Sequence, residues 1–211
     1  ATILERKGNP AHRCMPGCSI QCSNVFPGAD GREIVSPLEY ETIGLLGSNC
    51  GIASLDTIAH INKLCNDYGV DTIEIGGVLG IAMEAGYLSF GDDNRAIELV
   101  SEIGKDSILG RVIGHGAAFA AKVFGVVDIP VVKGQMMAAY EPRALKGLGV
   151  TYATSPMGAD HTAGHTLAFP VNPLEAKGQK EASREAQITM AVYDTLGLCM
   201  FVNSVVRTRF D

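Results

Sequence analysis

The stretch HRCMPGCSIQCSN, residues 12–24, sets Cys14, Cys18 and Cys22 at intervals of four in one short segment. Three thiols from a single loop suit zinc or an iron–sulfur cluster. Structural zinc usually draws on two separate pairs, each two to four residues apart, and this chain offers no second pair. The pattern is better suited to a cubane cluster, whose fourth iron takes a cysteine from elsewhere in the chain. Three and three intervening residues also depart from the three-then-two spacing of radical S-adenosylmethionine chemistry. The plainer alternative is three unrelated thiols. If the loop holds a cluster, the rest of the chain must fold so that a fourth thiol returns to it.

Cys50, Cys65 and Cys199 are the candidates for that return. Cys50 and Cys65 fall within helical patterns among apolar neighbours, where a free cysteine most often acts as a small buried hydrophobe. Cys199 follows a glycine at the end of a helical run, where a helix terminus can present its thiol. It is the better choice.

After an irregular opening to about Pro37, with turn signals such as FPGADG, helical patterns dominate. PLEYETIGLLGSNCG reads as a helix from about Leu38. In SLDTIAHINKLCNDYG, Ser54 is a plausible cap, Ile58, Ile61, Leu64 and Cys65 share a face, and Gly69 is a stop. Asp71 opens DTIEIGGVLGIAMEAG as another cap. DDNRAIELVSEIG and SILGRVIGHGAAFAAKVFG continue the pattern. VVDIPVVKGQMM, with Pro130, reads as a short edge strand or extended linker and places a boundary near residue 130. Helices follow in EPRALKGLGVTYATS and ASREAQITMAVYDTLGLCMFVN, separated by the Gly/Pro/His-rich loop PMGADHTAGHTLAFPVNP. The expected class is mainly α, in two helical lobes, 1–130 with the cysteine loop and 131–211.

With 211 residues, 46% of them hydrophobic, the chain is long enough to bury a core. A net charge of -6 without a basic run argues against a nucleic-acid surface. No run of about 18 apolar residues indicates a membrane span. Six cysteines in this arrangement do not form a secretory disulfide framework, which favours a reducing cytoplasm.

One short echo runs through the chain. NDYGVDTI begins at Asn66 and DTLGLCMF at Asp194, and both sit at a helix end, where glycine lets the backbone turn. Coincidence is the default for an echo this short. With it in view, however, five motifs fall in order: the three-cysteine loop, PLEYETIGLLGSNCG, NDYGVDTI, RALKGLGVTYATSPMGADH and DTLGLC. In these the chain resembles the catalytic, C-terminal helical part of the aldehyde:ferredoxin oxidoreductases, tungsten or molybdenum bis-pterin enzymes. The resemblance covers nearly all of the chain.

The resemblance implies that Cys14, Cys18, Cys22 and Cys199 hold a [4Fe–4S] cluster. It implies that the two echo motifs each bind one pterin, through Asn66, Asp67, Gly69, Val70 and Asp71 in one and Asp194, Gly197 and Leu198 in the other. An ionised carboxylate can accept two adjacent N–H donors of a pterin edge. Asn66 stands where the family pattern has Asp, and an amide has one acceptor oxygen, so Asp67 is a candidate substitute. The Cys14–Cys18 spacing is one residue longer than the family's commonest form, which points to a divergent subfamily. Glu41, with Glu39 as the near alternative, matches an active-site glutamate, and His161 an active-site histidine. The plainer readings are a solvated helix face for Glu41 and a loop-capping residue for His161, with His165 as its rival. His12 is placed to tune the cluster, and His60 and His115 read as structural.

The implied activity is oxidation of an aldehyde to a carboxylic acid, with electrons leaving through the cluster to ferredoxin or another iron–sulfur carrier. The family's N-terminal β-rich domain, which covers the pterins, has no counterpart in this sequence, and a homodimer is a candidate assembly. Three alternatives stand beside this reading. An iron–sulfur electron-transfer subunit without its own catalysis explains the cysteines but not Asp194, Gly197 and the echo. A zinc-stabilised interaction module predicts a colourless protein. A family relative reducing another substrate shares every motif.

Overall fold

The opening segment is more regular than its sequence predicts. The computed structural model, which describes residues 1–105 and 107–202, divides into two units, Ala1–Val131 and Val132–Asp211. In the first, a short helix α1 (Thr2–Glu5) leads into three antiparallel strands, β1 (Asn9–His12), β2 (Ser23–Pro27) and β3 (Glu33–Val35), in the order β1-β2-β3. The cysteine loop is the connection between β1 and β2. Phe26 pairs with Val35 across β2 and β3, and both are buried. Arg6 clamps the sheet to the helices: its guanidinium lies over the Phe26 ring at 5.7 Å, donates to the Pro27 carbonyl at 3.2 Å, and pairs with both carboxylate oxygens of Asp56.

The helix expected from Leu38 starts two residues later and is not a continuous α-helix. A single turn α2 (Tyr40–Thr42) passes into a π-helical turn, Ile43–Gly47, and a 3₁₀ turn, Ser48–Cys50. Helices α3 (Leu55–Tyr68) and α4 (Thr72–Glu84) follow. Their caps are those the sequence announces. The Ser54 hydroxyl accepts the Thr57 N–H at 3.1 Å, and the Asp71 carboxylate accepts the Glu74 N–H at 2.8 Å. Helix α4 is apolar on nearly every side and is therefore buried all round. It packs against the π turn, against α6 (Ile108–Gly114) and against α7 (Ala117–Phe124), while α5 (Asp93–Ser101) packs on α3. Gly76 permits the closest approach: a Cβ there would lie 2.5 Å from the Leu45 side chain and 2.7 Å from its backbone. Leu46, Ile61, Ile75, Val78, Leu79, Leu99 and Ile113 are fully buried in this core, and each contributes about 1.5–3 kcal/mol relative to exposure. The run SILGRVIGHGAAFAAKVFG, expected as one pattern, breaks at His115 and Gly116, where φ is 84° at the glycine, so that α6 and α7 turn separately.

The strands β4 (Val131–Val132) and β5 (Gln135–Met136) form a two-stranded ladder. The second unit is built on α8 (Lys146–Thr154) and α9 (Gln179–Leu196). Helix α9 starts three residues ahead of ASREAQ, and Asn203, the last residue of the expected helical run, lies outside the described residues. Leu148, Tyr152 and Ala159 make the core, with Val132, Met137, Tyr140 and Leu145 packed on it. Thr151 joins both helices to the intervening loop. It is fully buried, and its hydroxyl lies 2.8 Å from the Gly164 carbonyl and 2.8 Å from the Ser183 hydroxyl. The protein is mainly α, and no helix among the described residues is long and apolar enough to cross a membrane.

Candidate functional site

The cysteine loop is shaped by its own sequence. Pro16 and Gly17 occupy the centre of a turn closed by Cys18 N–H donating to the Met15 carbonyl at 3.2 Å, with φ of 83° at Gly17. Cys14 and Cys22 are exposed and Cys18 is half-buried. The backbone N–H of Gln21, and behind it that of Ile20, lowers the Cys18 thiol below its usual range, with the Cys14 side chain and Arg13 adding to the effect. Local loss of water pushes the Cys14 thiol up, and the neighbouring Cys18 sulfur adds to it. Backbone donors aimed at a thiolate are what a cluster ligand needs, so the donor set fits the chemistry of an iron–sulfur centre. Among the described residues, no three His, Cys, Asp or Glu side chains are gathered at metal-holding distance.

Three polar bridges tie this loop to two other candidate regions of the same unit. Asn24, two residues past Cys22, donates to the Leu38 carbonyl at 2.9 Å and accepts the Leu38 N–H at 3.1 Å. Leu38 immediately precedes Glu39, the N-cap of the turn that carries Glu41. The Thr42 and Thr72 hydroxyls then meet at 2.9 Å, joining that turn to the start of α4 beside Asp71. Glu41 is half-buried. Glu39 is held above the usual carboxylate range, by burial first and by the charge of Glu41 second. Asn24, Thr42 and Thr72 cannot be picked out in the sequence, because single polar residues without a repeat give no signal.

The two echo motifs adopt the same backbone turn. At the end of α3, Gly69 N–H donates to the Asn66 carbonyl at 3.3 Å and Val70 N–H to the Cys65 carbonyl at 3.0 Å, with Gly69 at φ 69°, ψ 36°. At the end of α9, Gly197 N–H donates to the Asp194 carbonyl at 3.1 Å and Leu198 N–H to the Tyr193 carbonyl at 2.8 Å, with Gly197 at φ 67°, ψ 28°. Both are helix ends closed by a left-handed glycine. Each glycine faces open space, since a Cβ at either would meet nothing within 4 Å. Asn66, Asp67, Asp71, Asp194, Leu198 and Cys199 are exposed. Asp67 is engaged on its own helix, 2.6 Å from Lys63. Asp71 is engaged as the cap of α4. Exposed carboxylate, open turn and exposed thiol in sequence fit a ligand with N–H donors lying against a redox centre. Cys50 and Cys65 behave as the sequence suggests. Both are fully buried, and burial pushes their thiols up, to about 11 and about 12.

His161 opens a 3₁₀ turn capped by Asp160, whose carboxylate accepts the Thr162 N–H at 2.8 Å. Its ring lies 5.1 Å from that of Tyr140, and the His165 ring meets Tyr140 edge-on at 4.5 Å. No motif marks Tyr140, which precedes α8 and is distant in sequence from both histidines; it enters the site only through ring packing.

The described residues give a mainly helical fold with a three-thiol loop and two echo motifs of one backbone form. Comparison with known proteins supplies the particular family. The profile described as aldehyde ferredoxin oxidoreductase, domains 2 and 3, matches residues 2–210. The chain belongs to the aldehyde ferredoxin oxidoreductase family. It is 28% identical over 218 positions to the tungsten-containing aldehyde ferredoxin oxidoreductase of Thermococcus kodakarensis, covering 92% of this chain and 35% of that protein. The namesake enzyme of Pyrococcus furiosus is 28% identical over 207 positions, covering 87% and 34%. An aliphatic sulfonate oxidoreductase, WOR-like subunit, of Pyrococcus furiosus is also 28% identical, over 210 positions, covering 88% and 32%. The chain thus spans about a third of the length of the relatives it matches.

Proposed function

We propose that this chain is the catalytic helical part of a tungsten (or molybdenum) bis-pterin oxidoreductase that converts an aldehyde to a carboxylic acid. Cys14, Cys18, Cys22 and Cys199 would hold a [4Fe–4S] cluster, from which electrons pass to ferredoxin or another iron–sulfur carrier. The observation that carries this reading is the three-thiol loop in a chain whose residues 2–210 match domains 2 and 3 of the family. When bound, the metal and its pterins supply the site that takes up the two electrons released as aldehyde and water become carboxylic acid and two protons.

The chain's own residues do the rest. The Asp194 carboxylate accepts N–H donors from one pterin edge, with the Gly197 and Leu198 backbone beside it. The Asn66 side chain offers one acceptor oxygen to the other pterin, next to Gly69 and Val70. Asp67 and Asp71 are already committed to Lys63 and to the α4 cap. Asp71 fixes the start of α4 just beyond that turn, and Asp67 is the further acceptor beside Asn66. Glu41 and His161 are the residues that take protons from the water and aldehyde, at a carboxylate oxygen and a ring nitrogen. Burial first, and the charge of Glu41 second, raise the Glu39 carboxyl above the usual range.

The test is aldehyde-dependent dye reduction by anaerobically purified holoenzyme. His161→Asn and Glu41→Gln should each lower kcat by about 10²-fold or more, the scale of a lost general acid or base. Unchanged rates in both variants would overturn the assignment. The 28% identity to a sulfonate oxidoreductase subunit favours including aliphatic sulfonates in the assay. Activity there, with none on aldehydes, would move the reading to a relative with another substrate.

A further inference from the structure

We propose that His165 is a positioning residue for His161, acting through the ring of Tyr140. The proposal deepens the proton-handling reading of His161 and rests on it.

Three rings meet in the loop between α8 and α9 and the segment before α8. His165 meets the Tyr140 ring edge-on, at 4.5 Å and 89°. His161 faces the same ring at 5.1 Å and 33°. The two imidazoles are 6.1 Å apart and nearly perpendicular, at 84°. Edge-to-face contact is directional, because the positive edge of one ring meets the negative face of the other. The orientation of His165 therefore constrains Tyr140, and the orientation of Tyr140 constrains His161.

His165 is itself anchored on both sides. The preceding carbonyl, of Gly164, is bound by the buried Thr151 hydroxyl at 2.8 Å. The next residue, Thr166, is buried, and its carbonyl accepts the Phe169 N–H at 3.1 Å. The ring is fixed as well: the Leu167 N–H donates to His165 Nδ1 at 3.1 Å. A nitrogen that accepts a hydrogen bond carries no proton, so the ring proton lies on Nε2. Tyr140 has its own footing, since its carbonyl accepts the hydroxyl of the fully buried Tyr152 at 3.3 Å. The backbone of His161 is set by Asp160, which caps the turn it begins. The plane of the His161 ring lies against Tyr140. Histidine at 165 supplies both the acceptor for Leu167 and a ring perpendicular to Tyr140. Leucine would supply neither, and asparagine would keep the acceptor, because its amide oxygen occupies the place of Nδ1.

The experiment combines histidine-labelled ¹H–¹⁵N spectra of the chain with kinetics of the holoenzyme. In the wild type, His165 should show the Nε2–H tautomer. His165→Leu should shift the His161 ring signals and lower kcat by about 10- to 100-fold, as misplacement of a reacting group does, with KM changed by less than about twofold. His165→Asn keeps the Leu167 acceptor but not the ring, so the His161 signals and kcat should stay as in His165→Leu, and their recovery in His165→Asn would overturn positioning through Tyr140. His161 signals that do not move in His165→Leu, or a proton on His165 Nδ1, would overturn the positioning. Unchanged kcat in His161→Asn would instead overturn the proton-handling reading beneath it, and the spectra distinguish the two failures.

Discussion

The turn at the end of α3 and the turn at the end of α9 share a backbone and differ in the residues just beyond it. Gly69 and Gly197 differ by 2° in φ and 8° in ψ, by subtraction of the paired values 69°, 36° and 67°, 28°. After Gly69 and Val70, Asp71 accepts the Glu74 N–H and starts the buried helix α4. After Gly197 and Leu198, Cys199 is exposed and starts only a 3₁₀ turn, Met200–Val202. One turn is built into the core of its unit and the other presents a thiol to solvent. A helix end closed by a left-handed glycine is thus a reusable frame, and the residue two positions on caps α4 in one case and is an exposed thiol in the other.

The largest expected effect separates Asp194 from Asp71. Asp194→Ala should reduce bound tungsten or molybdenum in the holoenzyme by about 10- to 100-fold, the scale set by losing a partner that orients a metal group. Asp71→Ala should leave most of the metal bound. Equal losses would erase the distinction between the turns. Elemental analysis of the purified variants decides it.

The next effect should be the same at both turns. Gly69→Ala and Gly197→Ala each force an alanine into the left-handed region, at about 1–2 kcal/mol. Denaturant midpoints read both costs. If Gly197→Ala were nearly free, the shared frame would not be under the same constraint at the two sites.

A smaller difference returns at the cap. Asp71→Ala should cost about 1 kcal/mol through the lost cap of α4, whereas Asp194→Ala should stay within about 0.5 kcal/mol, as for an ordinary exposed position. Asn66→Asp sharpens the contrast further. It adds a negative charge at the C-terminal end of α3, at a cost of about 0.3–1 kcal/mol, while making that turn more like the one at Asp194. Higher retention of the metal despite lower stability is the expected outcome, measured on the same preparations.

The thiols beside the two turns give a chemical version of the comparison. Cys199 is exposed, while Cys65 is buried with its thiol pushed up to about 12, by burial first and by Asp71 second. In cluster-free protein near pH 8, iodoacetamide should label Cys199 rapidly and Cys65 only after unfolding, because the thiolate is the reacting form. Peptide mass spectrometry tracks both. Labelling of Cys65 at a comparable rate in the folded chain would contradict its place in the core.

Much of this is legible in the amino-acid sequence. Ser54 and Asp71 announce two helix starts, Gly69 announces a stop, and the echo between Asn66 and Asp194 marks two turns that prove alike in backbone. Each is a local signal, written in residues whose own hydrogen bonds or φ angles set the local structure. The three-stranded sheet is hidden because its strands are three to five residues long, carry Pro10 and Pro27, and pair with a register shift. The π turn at Ile43–Gly47 is hidden because it answers to packing: Gly47 has room only for a hydrogen, with Ile58 2.8 Å from where a Cβ would stand. Of the candidate site, residue types and order can be read from the motifs. The connections among them cannot, because Asn24, Thr42, Thr72 and Tyr140 act through contacts between segments distant in sequence.

The most direct test of the account is the iron content and visible spectrum of anaerobically purified protein, wild type against Cys199→Ser. The account predicts about four irons per chain with broad visible absorbance, the signature of a [4Fe–4S] centre, both lost in Cys199→Ser. Zinc without iron in a colourless wild type, or iron and colour unchanged in Cys199→Ser, would contradict it.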